Sequence, residues 1–225
     1  MSRIHKFFSY RASITLIVFV GLILFFSFFT PRHVFVNPRN ITALGKLMPD
    51  LGIVALGVGM LMICGEFDLS VSSVLPLCAF IFISLLKVSI NPFFALCIAL
   101  GTGALLGFLN GIITVKGHIP SFITTLGTMM FWRGILYVYS HMWPIGLRAY
   151  LPPGSVFECI FVGKIGGIIP LQVVWFIAFA AILGIILHFH KFGNWVYATG
   201  DNREAARAMG INTDMVKTIC FMIVG

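Results

Sequence analysis

From Pro92 to Val115 the sequence runs 24 residues without one charged side chain and then meets Lys116. At about 1.5 Å of rise per residue, such a run crosses the roughly 30 Å hydrocarbon core of a bilayer as a single helix. Five further runs share its character: Ala12–Phe29, Leu47–Cys64, Leu69–Leu86, Ile119–Tyr139 and Leu171–Phe189. Pro49 and Asp50 weaken the start of the Leu47 run, and Arg133 interrupts the Ile119 run. None alternates apolar and polar residues, which argues against a membrane β-barrel. The whole chain is 59% hydrophobic and 10% charged, with a mean hydropathy of +1.03. A soluble fold of 225 residues cannot enclose that much apolar surface. The predicted fold is therefore all-α: a polytopic membrane helical bundle of about six complete transmembrane helices plus the start of a seventh, one domain over 1–225. The last run begins near Met215 and stops at Gly225. A half-span would leave backbone groups unpaired in hydrocarbon, so a fragment, incomplete at its C-terminus, is expected.

Fifteen Lys and Arg face seven Asp and Glu, a net charge of +8. These cations are spread between apolar runs, and no stretch tracks phosphates, so no nucleic-acid partner is expected. With the N-terminus in the cytoplasm, the 1–11 tail, the 65–68 and 116–118 turns and the 190–214 loop face inward, and the cations favour that orientation weakly. Arg3, Lys6 and Arg11 precede the first run, but Thr30-Pro31-Arg32-His33 is no cleavage site, so that run reads as a retained span. Cys64, Cys78, Cys97, Cys159 and Cys220 form no CxxC pair and read as small core residues. The Pro- and Gly-rich 140–170 segment, with Pro153 and Gly167 among its breakers, fits an outer loop with a short lid helix.

There is no GxxxxGK[ST] phosphate loop, no HExxH and no pair of carboxylates for acid and base work. No enzyme activity, metal or cofactor is expected. Gly103, Gly107 and Gly111 recur every four residues and line one helix face, a pattern for close helix packing, with Asn110 beside it as inter-helix glue or substrate contact. Between the second and third runs, Asp68 and Ser70 are placed to cap a helix; as acidic and hydroxyl groups near a membrane they also fit a gate at an inner mouth. After Pro120 and Ser121, Thr124, Thr125 and Thr128 give the fifth run a partly polar face, suited to inter-helix hydrogen bonds or to a hydrated pathway. Arg133, twelve residues on, reads as an interfacial anchor with Trp132 and Tyr137 or as part of an outer vestibule. The 193–212 segment has the parts of a short helix: Asp201 or Asn202 to cap it, Glu204 in its first turn, Gly210 to end it. Ala205, Ala208 and Met209 form a small apolar knob, and Arg203 and Arg207 share another face. Such a helix between two spans suits docking into a groove on a cytoplasmic partner.

Three stretches together carry a family resemblance. Residues 65–73 resemble a G-G-x-D-L-S-V-G-S stretch, with Glu66 and Ser72 where glycine is commonest. Residues 119–134 resemble I-P-S/A-F-I-x-T-L-G-T-M with its following R-G, and 193–212 resemble G-x-x-x-Y-A-x-G-x-N-x-x-A-A-x-x-x-G-I-N. The chain resembles the permease subunit of bacterial ATP-binding-cassette importers for ribose and related monosaccharides. The resemblance implies inward transport by alternating access in the bacterial inner membrane. It implies a cytoplasmic ATP-binding subunit gripping Gly200, Asn202, Arg203, Glu204, Ala205, Ala206, Arg207 and Gly210, a periplasmic or extracellular sugar-binding protein, and a second permease subunit. Substrate-pathway or gate candidates are Asp68, Ser70, Asn110, Ser121, Thr124, Thr125 and Arg133. The alternatives are a truncated, non-transporting permease copy and an ion-coupled secondary transporter. The latter needs an acidic group deep in a span, whereas Asp50, Glu66 and Asp68 fall near span ends in the sequence.

Overall fold

A computed structural model describes residues 11–152, 154–166 and 169–225. The basic residues Arg3 and Lys6, and Pro153 and Gly167 of the 140–170 segment, lie outside the described residues. The chain divides into two compact units, up to Leu47 and from Met48 onward. In the first, α1 (Arg11–Phe29) is followed by a 3-10 turn, Pro31–Val36, and the start of α2 (Pro38–Ile63). Phe26 meets Phe35 at 5.9 Å between ring centres, and the Asn40 amide donates to the Phe35 carbonyl at 2.8 Å. The helix α2 begins at Pro38 and not at Leu47 as the apolar run suggested. Proline fits a first helical turn, the Asn37 side chain accepts from the Arg39 N–H at 3.0 Å, and Pro49 is carried inside the helix.

The second unit holds the rest of α2, then α3 (Val71–Lys87), α4 (Pro92–Lys116) and α5 (Ser121–Ser140). The loop that follows carries a short α6 (Val156–Phe161) and a small hairpin, β1 (Lys164–Ile165) antiparallel to β2 (Ile169–Pro170). Ser155 caps α6 by accepting from Glu158 N–H, while the Glu158 carboxylate reaches back to the N–H of Gly154, just before the cap, at 2.7 Å. Then come α7 (Leu171–Phe189), α8 (Lys191–Asp201), α9 (Arg203–Ala208) and α10 (Thr213–Val224). Three helices, α2, α4 and α7, are long and apolar enough to cross a membrane on their own composition, and α1 and α3 are apolar but shorter. Hydroxyls and Arg133 lower the hydropathy of α5. The chain is a multi-pass helical membrane protein.

Helix α3 packs between α4 and α5 around Val74, Leu77 and Leu106, with Trp132 and Ile135 against them. A second core joins Met60 and Leu61 of α2, and Cys64 just past its end, to Val196 of α8 and Val216, Cys220 and Phe221 of α10. The glycine stripe on α4 is the floor of the tightest seam. A Cβ at Gly107 would lie 2.8 Å from the Phe221 carbonyl carbon, one at Gly111 2.9 Å from Thr218 Cα, and one at Gly103 would strike the Gly225 backbone. The stripe serves helix packing, as its spacing suggested. The five cysteines are free; Cys64 and Cys220 are buried, whereas Cys97 and Cys159 are exposed on the protein surface and are not core residues.

Candidate functional site

Helix α2 ends in a Schellman turn. Gly65 takes φ +85°, its N–H donates to the Met62 carbonyl at 3.0 Å, and Glu66 N–H donates to the Leu61 carbonyl at 3.1 Å. The chain then runs without helical bonds through 66–69 and lies along α5. Phe67 N–H donates to Ser121 Oγ at 3.1 Å, and two residues later Leu69 N–H donates to Thr125 Oγ1 at 3.2 Å. Alternate backbone groups of the segment thus meet hydroxyls one helical turn apart on α5. Asp68, between them, turns the other way. Its Oδ1 accepts from Ser70 N–H at 2.7 Å and Ser70 Oγ at 2.6 Å, its Oδ2 accepts from Asn110 Nδ2 at 3.3 Å, and Asn110 Nδ2 also donates to Ser70 Oγ at 2.8 Å. All three residues are buried, Asn110 completely.

This placement alters several expectations. Ser70 stands before α3 but makes no side-chain cap bond; its hydroxyl is spent on Asp68 and Asn110. Asp68 caps the approach to the helix and not its first turn. It stands between the end of α2 and the start of α3, at the level of Asn110, which lies six residues, about 9 Å, inside the end of α4. Ser121 and Thr125 work as inter-helix acceptors, while Thr124 Oγ1 and Asn110 Oδ1 are buried without a partner among the described residues. Arg133 does not point to an outer rim. Its Nε donates to Ser73 Oγ at 3.2 Å and its Nη2 to Ser72 Oγ at 3.1 Å, tying α5 to the first turn of α3. The cluster is a set of neutral donors and acceptors around one carboxylate, suited to hydrogen bonding and without an acid–base pair.

The second candidate region is the α8–α9–α10 corner. Asn202, not Asp201, caps α9: its Oδ1 accepts from Ala205 N–H at 3.0 Å. Gly210, at φ +84°, ends the helix in a second Schellman turn, with Ile211 N–H on the Ala206 carbonyl and Gly210 N–H on that of Arg207. Ala205, Ala208 and Met209 are exposed, with Glu204 beside them, but Ala206 is wholly buried. Gly200 lies against the end of α2 so closely that a Cβ would collide with the Ile63 carbonyl. Arg203 and Arg207 are not free cations. Both donate to Asp214 Oδ1, at 2.8 and 2.6 Å, and Arg207 Nε also donates to Thr213 Oγ1 at 2.9 Å. Partial burial alone would raise the Asp214 carboxyl, but the hydrogen bonds from Arg203 and Arg207 outweigh it and hold the group below the usual carboxylate range. A buried ion pair between Lys217 of α10 and Glu66, absent from the sequence reading, lies between the two regions. Its partners are 151 residues apart, so no local pattern could have paired them. Asp214, by contrast, lies seven residues past Arg207, and an acid that close to an Arg pair was readable.

Residues 40–225 match the family described as branched-chain amino acid transport system / permease component. The chain belongs to this permease family. It is a family of transporter components, not of enzymes. The chain is 31% identical over 211 residues to the xylose/arabinose import permease protein XylH of Sulfolobus acidocaldarius, covering 91% of this chain and 57% of that relative. It is 29% identical over 218 residues to the ribose import permease protein RbsC of Escherichia coli, covering 96% of this chain and 65% of the relative. The autoinducer 2 import system permease protein LsrC of Escherichia coli is 29% identical over 221 residues, 98% of this chain and 62% of its own length. The chain thus spans under two thirds of the length of these relatives. No solved structure matches it.

Proposed function

We propose that this chain is the membrane-spanning permease part of an ATP-binding-cassette importer for a monosaccharide, with alternating access driven by a separate cytoplasmic ATPase. The observation that carries the reading is the family match over 40–225, joined to import permeases whose names specify xylose, arabinose and ribose. The geometry adds two supports. The small exposed face of α9, built from Ala205, Ala208 and Met209 with Glu204 at its edge, fits a shallow groove on the ATPase, and Asp214 keeps Arg203 and Arg207 turned onto the permease itself. The buried cluster of Asp68, Ser70, Asn110, Ser121, Thr124 and Thr125 holds the polar groups that a neutral polyol requires along its path. A second permease copy completes the pathway, an extracytoplasmic binding protein delivers the sugar, and the N-terminus and the 193–212 segment face the cytoplasm of the bacterial inner membrane.

The test is uptake by the assembled importer in proteoliposomes, with radiolabelled D-ribose, D-xylose and L-arabinose. Accumulation that needs ATP and the binding protein supports the reading. Accumulation driven by a proton gradient without ATP overturns it in favour of an ion-coupled carrier, and no accumulation of any of the three overturns the sugar assignment.

A further inference from the structure

Helix α10 carries two charged side chains one turn apart, and each is tied to a different part of the molecule. Asp214 holds Arg203 and Arg207 of α9. Lys217 holds Glu66, two residues before Asp68. The Lys217 and Glu66 side chains are only 9% and 13% exposed. A lysine in the early turns of a helix is opposed by the helix dipole. Moving both charges out of water is also costly, and a packed apolar pair would fill the same space more favourably. The pair does supply something an apolar contact lacks, namely a directed bond that fixes the 65–70 segment to one level of α10. The Schellman turn at Gly65 leaves that segment outside any helix, so its place depends on such bonds. A cavity of about 250 Å³, bordered by Glu66, Thr114, His118, Arg203 and Lys217, opens beside the pair and brings the α9 and α10 cations to one space.

We propose that the Glu66–Lys217 pair is the contact through which displacement of α9 by its ATPase reaches the Asp68–Ser70–Asn110 cluster, with Lys217 acting as a positioning residue. The inference rests on the importer reading above. Thr213–Val224 serves as the rod: Asp214 receives the motion from Arg203 and Arg207, and Lys217 delivers it to Glu66 three positions along. Because Asp68 is bonded to Ser70 and Asn110, a shift of Glu66 is passed directly to the buried network.

The experiment compares Glu66→Gln, Lys217→Met and the exchange Glu66→Lys with Lys217→Glu in the assembled importer. It reads sugar uptake, basal ATPase rate, ATP hydrolysed per sugar moved, and retention of the ATPase subunit on the purified permease. The single variants are expected to keep the ATPase bound and its basal rate unchanged, while uptake falls at least tenfold and ATP used per sugar rises. The exchange is expected to recover half or more of wild-type uptake, a rescue that a generally damaged fold would not give. Single variants with wild-type uptake per ATP overturn the proposal. So does an exchange variant as inactive as the singles in an intact complex. If a single variant does not assemble, the exchange decides alone: recovered uptake sustains the pair and lost uptake refutes it. A wild-type complex without ATP-driven uptake refutes the importer reading itself, and is distinguished by failing before any substitution.

Discussion

The 65–70 segment and the 202–214 corner both join longer helices, both contain a left-handed glycine, Gly65 and Gly210, and both bring charged groups together. They solve the polar problem in opposite ways. In 65–70 the Asp68 carboxylate is buried and surrounded by neutral donors, and Glu66 is held by the largely buried Lys217, so these bonds stand where water competes little. In 202–214 the Arg–Asp bonds are ionic but the side chains are 37–48% exposed, and water competes for every one of them. The buried segment is therefore held by few irreplaceable contacts, and the exposed corner by strong-looking but expendable ones.

The largest expected effect is Asp68→Ala. It leaves Ser70 N–H and Ser70 Oγ–H without their acceptor and removes one of the two acceptors of the Asn110 amide. At about 1–3 kcal/mol per buried unpaired group, a loss of ~3–5 kcal/mol is expected by thermal unfolding in detergent. Asp68→Asn, which keeps one acceptor oxygen, is expected to lose about 1–2 kcal/mol. Equal melting of Asp68→Ala and wild type would erase the contrast between the two regions.

Next is Ala206→Glu against Ala205→Glu, one position apart on α9. Ala206 is wholly buried, and a carboxylate there lacks both space and partners, so a loss of about 2–4 kcal/mol and poor assembly are expected. Ala205 is exposed, so its glutamate is expected to change stability by no more than ~0.5 kcal/mol while abolishing ATP-driven uptake. Similar stability losses in the two would show that α9 is buried on both faces.

The smallest effect is Asp214→Asn, expected to cost no more than about 1 kcal/mol because all three partners are partly exposed. Its pH dependence has a defined sign. The folded-state value of Asp214 is lowered, so its stabilising contribution is complete above the ordinary range near pH ~4 and is lost as pH falls through the lowered value. Wild type and Asp214→Asn should therefore differ most near neutral pH and converge on acidification; a gap that widens at low pH would reverse the assignment.

Much of the helical layout was legible because hydropathy reports burial in lipid directly, and the α4 seam was legible because glycine spacing maps onto one helix face. The start of α2 was not: Arg39 and Lys46 interrupt the apolar count, yet the first turns of a helix tolerate both, and Pro49 is carried, buried, inside the helix. The polar residues of the candidate pathway were identified by type, but their partners were not. Ser121 and Thr125 gave equal reason to expect water or protein, and only the extended run of 66–69 beside them decides for backbone N–H groups. Arg133 was misdirected for a related reason: distance along α5 measures where its Cα lies, whereas its long side chain returns to Ser72 and Ser73.

The contact of α4 with α10 through bare backbone at Gly103, Gly107 and Gly111 leaves no side-chain cushion between them. Lengthwise sliding of one past the other would press backbone against backbone. The two helices are thus splinted into one plank, and the glycine turns at 65 and 210 are among the unsplinted joints where this unit is free to bend.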